Sequence, residues 1–119
     1  MNQLTDQQLL REYAEQRSEA AFAELVRRHV DLVYSAAVRT VGNVHQAEDV
    51  TQSAFIALAK ESPRLVDRPV LSGWLYSTAQ HLAAKVVRSE VRRRAREQEA
   101  SVMNKLLSAE SEGLWENIA

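Results

Sequence analysis

Apolar residues recur every three or four positions over long stretches of this chain, and strand-type alternation is absent, so its segments suit helices and little else. Only three glycines and two prolines interrupt the pattern in 119 residues. The expectation is an all-α fold, a compact bundle of about four helices with a long, basic C-terminal helix. Hydrophobic residues make up 45% of the chain, enough for a modest core without covalent staples. There is no cysteine, which excludes disulfides, thiolate metal sites and a thiol nucleophile, and fits a reducing compartment. No stretch approaches the roughly 18 apolar residues of a spanning helix, and Met1-Asn2-Gln3-Leu4 lacks a basic-then-apolar export signal. A cytoplasmic protein without a membrane partner is expected.

Punctuation residues set the helix ends. Thr5 before Asp6, Gln7 and Gln8 reads as a capping box for a short helix ending near Arg17. Ser18 can cap a second helix from about Glu19 to Val41, with Phe22, Val26, Val30, Val33, Ala37 and Val41 as its apolar stripe and Gly42 as its stop. Asn43 can cap a third helix to about Glu61, where Ser62-Pro63 should break it. A loop of about ten residues should lead to Ser72 as the cap of a fourth helix from Gly73 to roughly Gln98, and Ser101 to Ala119 reads as an acidic, weakly apolar tail.

The net charge of -1 hides a division along the chain. Residues 1–62 carry six Lys/Arg against nine Asp/Glu, residues 63–96 eight against two, and residues 97–119 one against five. A basic island between acidic neighbours points to a polyanion at one face, most commonly nucleic acid, and another partner elsewhere.

Two helices carry unusual second faces. By 100-degree stepping the third buries Ala47, Val50, Ala54, Ala57 and Leu58, while its other side mixes Phe55 and Ile56 with Glu48, Asp49 and Gln52. Such a rimmed apolar patch suits a protein partner; the competing reading is that the first helix or the tail covers Phe55 and Ile56. The fourth helix turns Leu75, Ala79, Leu82, Ala83 and Val86 to the core, and Trp74, Ser77, Thr78, His81, Lys85, Arg88, Arg92 and Arg96 fall within about 60 degrees of one line opposite. Lys and Arg in a row track phosphates, and indole and imidazole rings stack on unpaired bases, so this stripe, with Arg93 in the same run, suits single-stranded or melted nucleic acid. In the competing reading Trp74 plugs the core and the arginines pair with Glu90, Glu97 and Glu99.

Catalysis finds little support. His29, His45 and His81 are scattered, no HExxH arrangement or glycine-rich phosphate loop occurs, and nothing assembles a nucleophile with a base, so no enzyme activity, metal or cofactor is expected.

The ordered set of an acidic start, a long apolar helix, Ala47-Glu48-Asp49-Val50-Thr51-Gln52-Ser53-Ala54-Phe55, a loop, Gly73-Trp74-Leu75-Tyr76 and an arginine run resembles region 2 of extracytoplasmic-function sigma factors. Leu9-Leu10 and Ala21-Phe22-Ala23-Glu24-Leu25-Val26-Arg27-Arg28-His29 are similar to the family's first helices, so the resemblance covers about residues 4–97. It implies that Glu48, Asp49, Gln52, Phe55 and Ile56 face the beta-prime clamp helices of core RNA polymerase. It further implies that Arg64 and Arg68 of the loop, with Trp74, Ser77, His81, Lys85, Arg88, Arg92, Arg93 and Arg96, hold the displaced non-template strand of the promoter's minus ten element. An anti-sigma factor is a further candidate partner. His81 stands where the family often has Asn and Lys85 where it often has Asp, so no base preference follows. On this reading residues 1–100 are the region 2 domain and 101–119 an acidic interdomain linker, its Leu114-Trp115-Glu116-Asn117-Ile118 similar to the start of the family's linker, and the helix-turn-helix domain that reads the minus 35 element is absent. The alternative from another class is a helical interaction or regulatory module whose basic helix touches an anionic membrane or an acidic partner.

Overall fold

The structure is a computed structural model that describes residues 3–118, with side chains through Gly113. The side chains of Leu114 to Ile118 therefore lie outside the described residues. Four helices follow one another, α1 (Asp6–Gln16), α2 (Glu19–Val41), α3 (Val44–Leu65) and α4 (Leu71–Ile118), with no strand among the described residues. No helix there is long and apolar enough to cross a membrane. The chain forms two units, Met1–Val86 and Val87–Ala119, whose boundary falls inside α4.

The helix ends of unit 1 follow the capping chemistry closely. Thr5 accepts from the Gln8 amide while the Gln8 side chain accepts from the Thr5 amide, satisfying two otherwise orphan donors. Arg17 closes α1 in a left-handed conformation at φ 54°, its guanidinium over the Tyr13 ring. Ser18 and Asn43 cap α2 and α3 by accepting from the amides of Ala21 and Gln46. Gly42 ends α2 at φ 66°, a backbone setting that costs glycine nothing.

The core of unit 1 gathers Leu9 and Leu10 of α1, Leu25 and Val33 of α2, Phe55, Leu58 and Leu65 of α3, and Leu71 and Leu75 of α4. Each fully buried leucine contributes about 1.5–3 kcal/mol relative to exposure. Ala37, Ala47, Val50 and Ala83 form a second cluster, where small side chains let helices approach closely. The buried arc of α2 is wider than the expected stripe and centred differently: Ala21, Leu25, His29, Val33, Ala36 and Ala37 are buried, while Phe22, Val26, Val30 and Val41 are half-buried. Both α1 and α3 pack on α2, so its interior face is set by two neighbours instead of one.

Three expected boundaries move. Helix α3 does not break at Ser62-Pro63 but runs to Leu65 with Pro63 inside it. Proline removes the amide that would bond the carbonyl four residues back, and the Ser62 hydroxyl donates to that Ala59 carbonyl at 3.0 Å in its place. The loop is consequently only residues 66–70, and α4 starts at Leu71 with Ser72 in its first turn. The Gln7 side chain donates to the Arg68 and Pro69 carbonyls at 3.2 and 3.0 Å, and Arg11 pairs with Asp67 at 3.1 Å, so α1 pins this short loop. At the other end, α4 passes the expected stop near Gln98, because residues 99–112 contain no glycine or proline and are rich in helix formers such as Ala, Leu, Glu and Lys.

Candidate functional site

Two surfaces of unit 1 and one of unit 2 carry the residues singled out from the sequence. On α3, Glu48, Asp49, Gln52 and Ile56 are exposed, Ile56 at 55%. Phe55 is not on that open surface, contrary to expectation: at 7% exposure it belongs to the core with Leu25 and Leu58. The reason is the roughly 100-degree step between neighbouring helical residues, which turns Phe55 under the adjoining helices and leaves Ile56 outside. Half of the competing reading, that Phe55 is covered within the domain, is therefore correct. Phe55 and Ile56 with Phe22, Val26, Val30 and Thr51 line an apolar groove of about 410 Å³ between α2 and α3, beside the exposed acidic and amide groups.

The loop and the start of α4 make the second surface. Arg64 lies not in the loop but in the last turn of α3, where Glu61 engages its guanidinium. Arg68 is in the loop and makes no ion pair among the described residues. Trp74 is half-buried and packs against the core, as a plug would, with part of its surface still open. Ser77, His81 and Lys85 are exposed. Tyr76, which lies off the stripe by helical stepping, is 42% exposed. Its hydroxyl accepts from Gln80 at 2.9 Å, and Gln80 accepts from Thr40 of α2 at 3.2 Å. An i,i+4 Tyr-Gln pair was the one signal in the sequence for this arrangement.

In unit 2 the arginines divide into two groups. Arg93 is held by Glu90 and Glu97, and Arg94 reaches Glu90 at 3.6 Å, all within helical i,i+3 or i,i+4 reach. The hydrogen bond from Arg93 holds the Glu90 carboxyl below its ordinary range. Arg88, Arg92 and Arg96 are exposed and have no acidic partner among the described residues. The expected pairing with glutamates thus holds for Arg93 and Arg94 and fails for the three arginines at i, i+4 and i+8 from Arg88. Three unneutralised guanidiniums at that spacing face one side of the segment, about 6 Å apart along the axis per step, suited to successive phosphates.

Unit 1 also holds a partly buried polar cluster that the sequence pattern does not announce. His29, 8% exposed, contacts Asp6 through Nε2 at 2.8 Å, and Arg28 reaches the same carboxylate at 3.2 Å. An ionised carboxylate only accepts, so the imidazole Nε2 carries the proton. Partners 23 residues apart leave no periodic trace, and the cluster ties α1 to α2.

Residues 25–96 match the family described as Sigma-70 region 2. The chain belongs to that family. Region 2 here thus spans the acidic surface of α3, the loop and the arginines through Arg96. Relatives are named extracytoplasmic-function RNA polymerase sigma factors. SigE of Mycolicibacterium smegmatis is 38% identical over 74 residues, 62% of this chain and 28% of that protein. SigW of Bacillus subtilis is 36% identical over 70 residues, 59% of this chain and 37% of that protein. The chain thus matches about a third of the length of these curated relatives, and the resemblance to extracytoplasmic-function sigma factors read from its motifs is borne out.

Proposed function

We propose that this chain serves in transcription initiation as the part of a sigma factor that binds core RNA polymerase and opens the promoter minus ten element, in the cytoplasm and without catalytic chemistry of its own. The observation that carries the reading is the coincidence of the family match over residues 25–96 with two chemically opposite exposed surfaces. Glu48, Asp49, Gln52 and Ile56, with the groove edge at Phe55, would meet the beta-prime clamp helices. Arg68, Trp74, Ser77, His81, Lys85, Arg88, Arg92 and Arg96 would hold the non-template strand, with Arg64 and Arg93 contributing after exchanging a glutamate for a phosphate. Extruding a base costs a few kcal/mol, offset by stacking and by phosphate neutralisation.

The test compares binding of a single-stranded minus ten oligonucleotide across salt concentrations. Arg92→Ala should weaken binding and reduce the slope of log K against log salt by about 0.7, the value for one phosphate contact on a single strand. Arg93→Ala should change that slope less, because its charge is already shared with Glu90 and Glu97. Equal slopes in the parent chain and Arg92→Ala would reject the DNA assignment. Asp49→Ala with Ile56→Ala should reduce capture by isolated clamp helices and leave oligonucleotide binding intact; Phe55 is left in place because it is a core residue.

A further inference from the structure

Among the described residues, the second unit carries an apolar stripe with no cover. Val91, Val102, Met103 and Leu106 are each more than half exposed, and Val91, Ala95, Val102, Leu106 and Ala109 lie along one line at helical spacing. An isolated amphipathic helix of this kind gains little from its own residues, and burial of the stripe needs a second surface. The charges on the same segment indicate which surface. Between Arg88 and Arg96 there are five arginines against Glu90, whereas residues 97–113 hold four glutamates against Lys105.

We propose that residues 88–113 pair antiparallel with the same segment of a second copy of this chain. A parallel pair would set arginine against arginine and glutamate against glutamate; the antiparallel pair sets the basic half of each copy against the acidic half of the other. The flanks agree with this. By 100-degree stepping Arg92 and Glu110 lie on one flank of the stripe, Arg94 and Glu112 on the other, and in an antiparallel pair like flanks face each other. With the two-fold axis at Val102, Arg92 comes within about 3 Å along the axis of Glu110 in the second copy, and Arg94 of its Glu112. Ala95 then lies opposite Ala109, and Gln98 opposite Leu106, a polar residue in the seam that keeps the pair weak and reversible.

Sedimentation equilibrium of the whole chain should give a mass rising with concentration from 13.4 kDa toward twice that value, with the rise suppressed at high salt. Leu106→Glu should stay monomeric at every concentration; its site is exposed, so the core of unit 1 is untouched. The absence of cysteine makes single-cysteine variants clean reporters. Val102→Cys should cross-link with itself under mild oxidant, and Ala95→Cys should cross-link with Ala109→Cys but not with itself. A parent chain that remains at 13.4 kDa throughout, or Ala95→Cys joining itself as efficiently as Val102→Cys does, overturns the proposal.

Discussion

Residues 71–86 and 87–113 lie in the same helix and are built on opposite principles. The first stretch buries Leu71, Leu75, Ala79 and Ala83 at intervals of four. The second buries none of its residues and lines its surface with arginine–glutamate pairs at helical spacing. Solvent screens exposed pairs of this kind, and each contributes far less than the roughly 1.5–3 kcal/mol of one buried leucine. Helical continuity therefore does not mean uniform stability. The apolar core sets the cost of unfolding in unit 1, while local propensity and charge set helicity in unit 2.

One substitution made in both regions tests this difference with the largest effect. Leu58→Ala removes a side chain with no exposed surface from the main cluster, and should cost about 2–5 kcal/mol by leaving a cavity. Leu106→Ala removes the same atoms from an exposed site, and in dilute protein should cost less than about 0.5 kcal/mol. Thermal melts monitored on unit 1 read both, at about 4–8 °C per kcal/mol for a domain of this size. Similar shifts for the two variants would mean that residues 87–113 are part of the cooperative core, and the contrast would collapse.

A smaller effect comes from the polar contact between α1 and α2. Asp6→Ala leaves the buried His29 Nε2 proton without its acceptor, a loss of about 1–3 kcal/mol. Asp6→Asn, which keeps one oxygen, should recover part of it in urea unfolding. If Asp6→Ala is neutral, water satisfies His29 and the cluster does not bind the helices together.

That cluster also marks the limit of what the sequence disclosed. Helix number, three of the caps and the stop at Gly42 were legible because each is a local rule acting over a few residues. The basic character of the loop and α4, and the acidic patch of α3, were legible as charge. Besides the cluster, three things were not. Pro63 as a helix interior residue depended on the Ser62 hydroxyl taking over for its missing amide donor. The burial of Phe55 depended on which helices cover α3. The division of the arginines into paired and unpaired depended on choices among neighbouring glutamates that helical spacing permits without deciding.

The smallest expected effect compares an acidic partner in each region. Arg27 donates to both Glu24 oxygens at 3.1 and 2.8 Å, and this hydrogen bonding holds the Glu24 carboxyl down to about 2 from 4.5. A depressed carboxyl adds stability that is fully present above its unfolded value and is lost as pH falls toward its folded value. The loss should thus begin below about pH 5 and run down toward pH 2. Urea midpoints at pH 6 and pH 3 should fall further for the parent chain than for Glu24→Gln, which has nothing to titrate; equal falls would show that the pair does not outlive side-chain motion in water. Glu90 is depressed in the same direction by Arg93, yet Glu90→Gln should leave the pH dependence of the unit 1 midpoint unchanged, because its residues stand outside the core that unfolds. In unit 2 that titration should appear as local helix loss, read by hydrogen exchange at residues 88–97, with no cooperative transition attached to it.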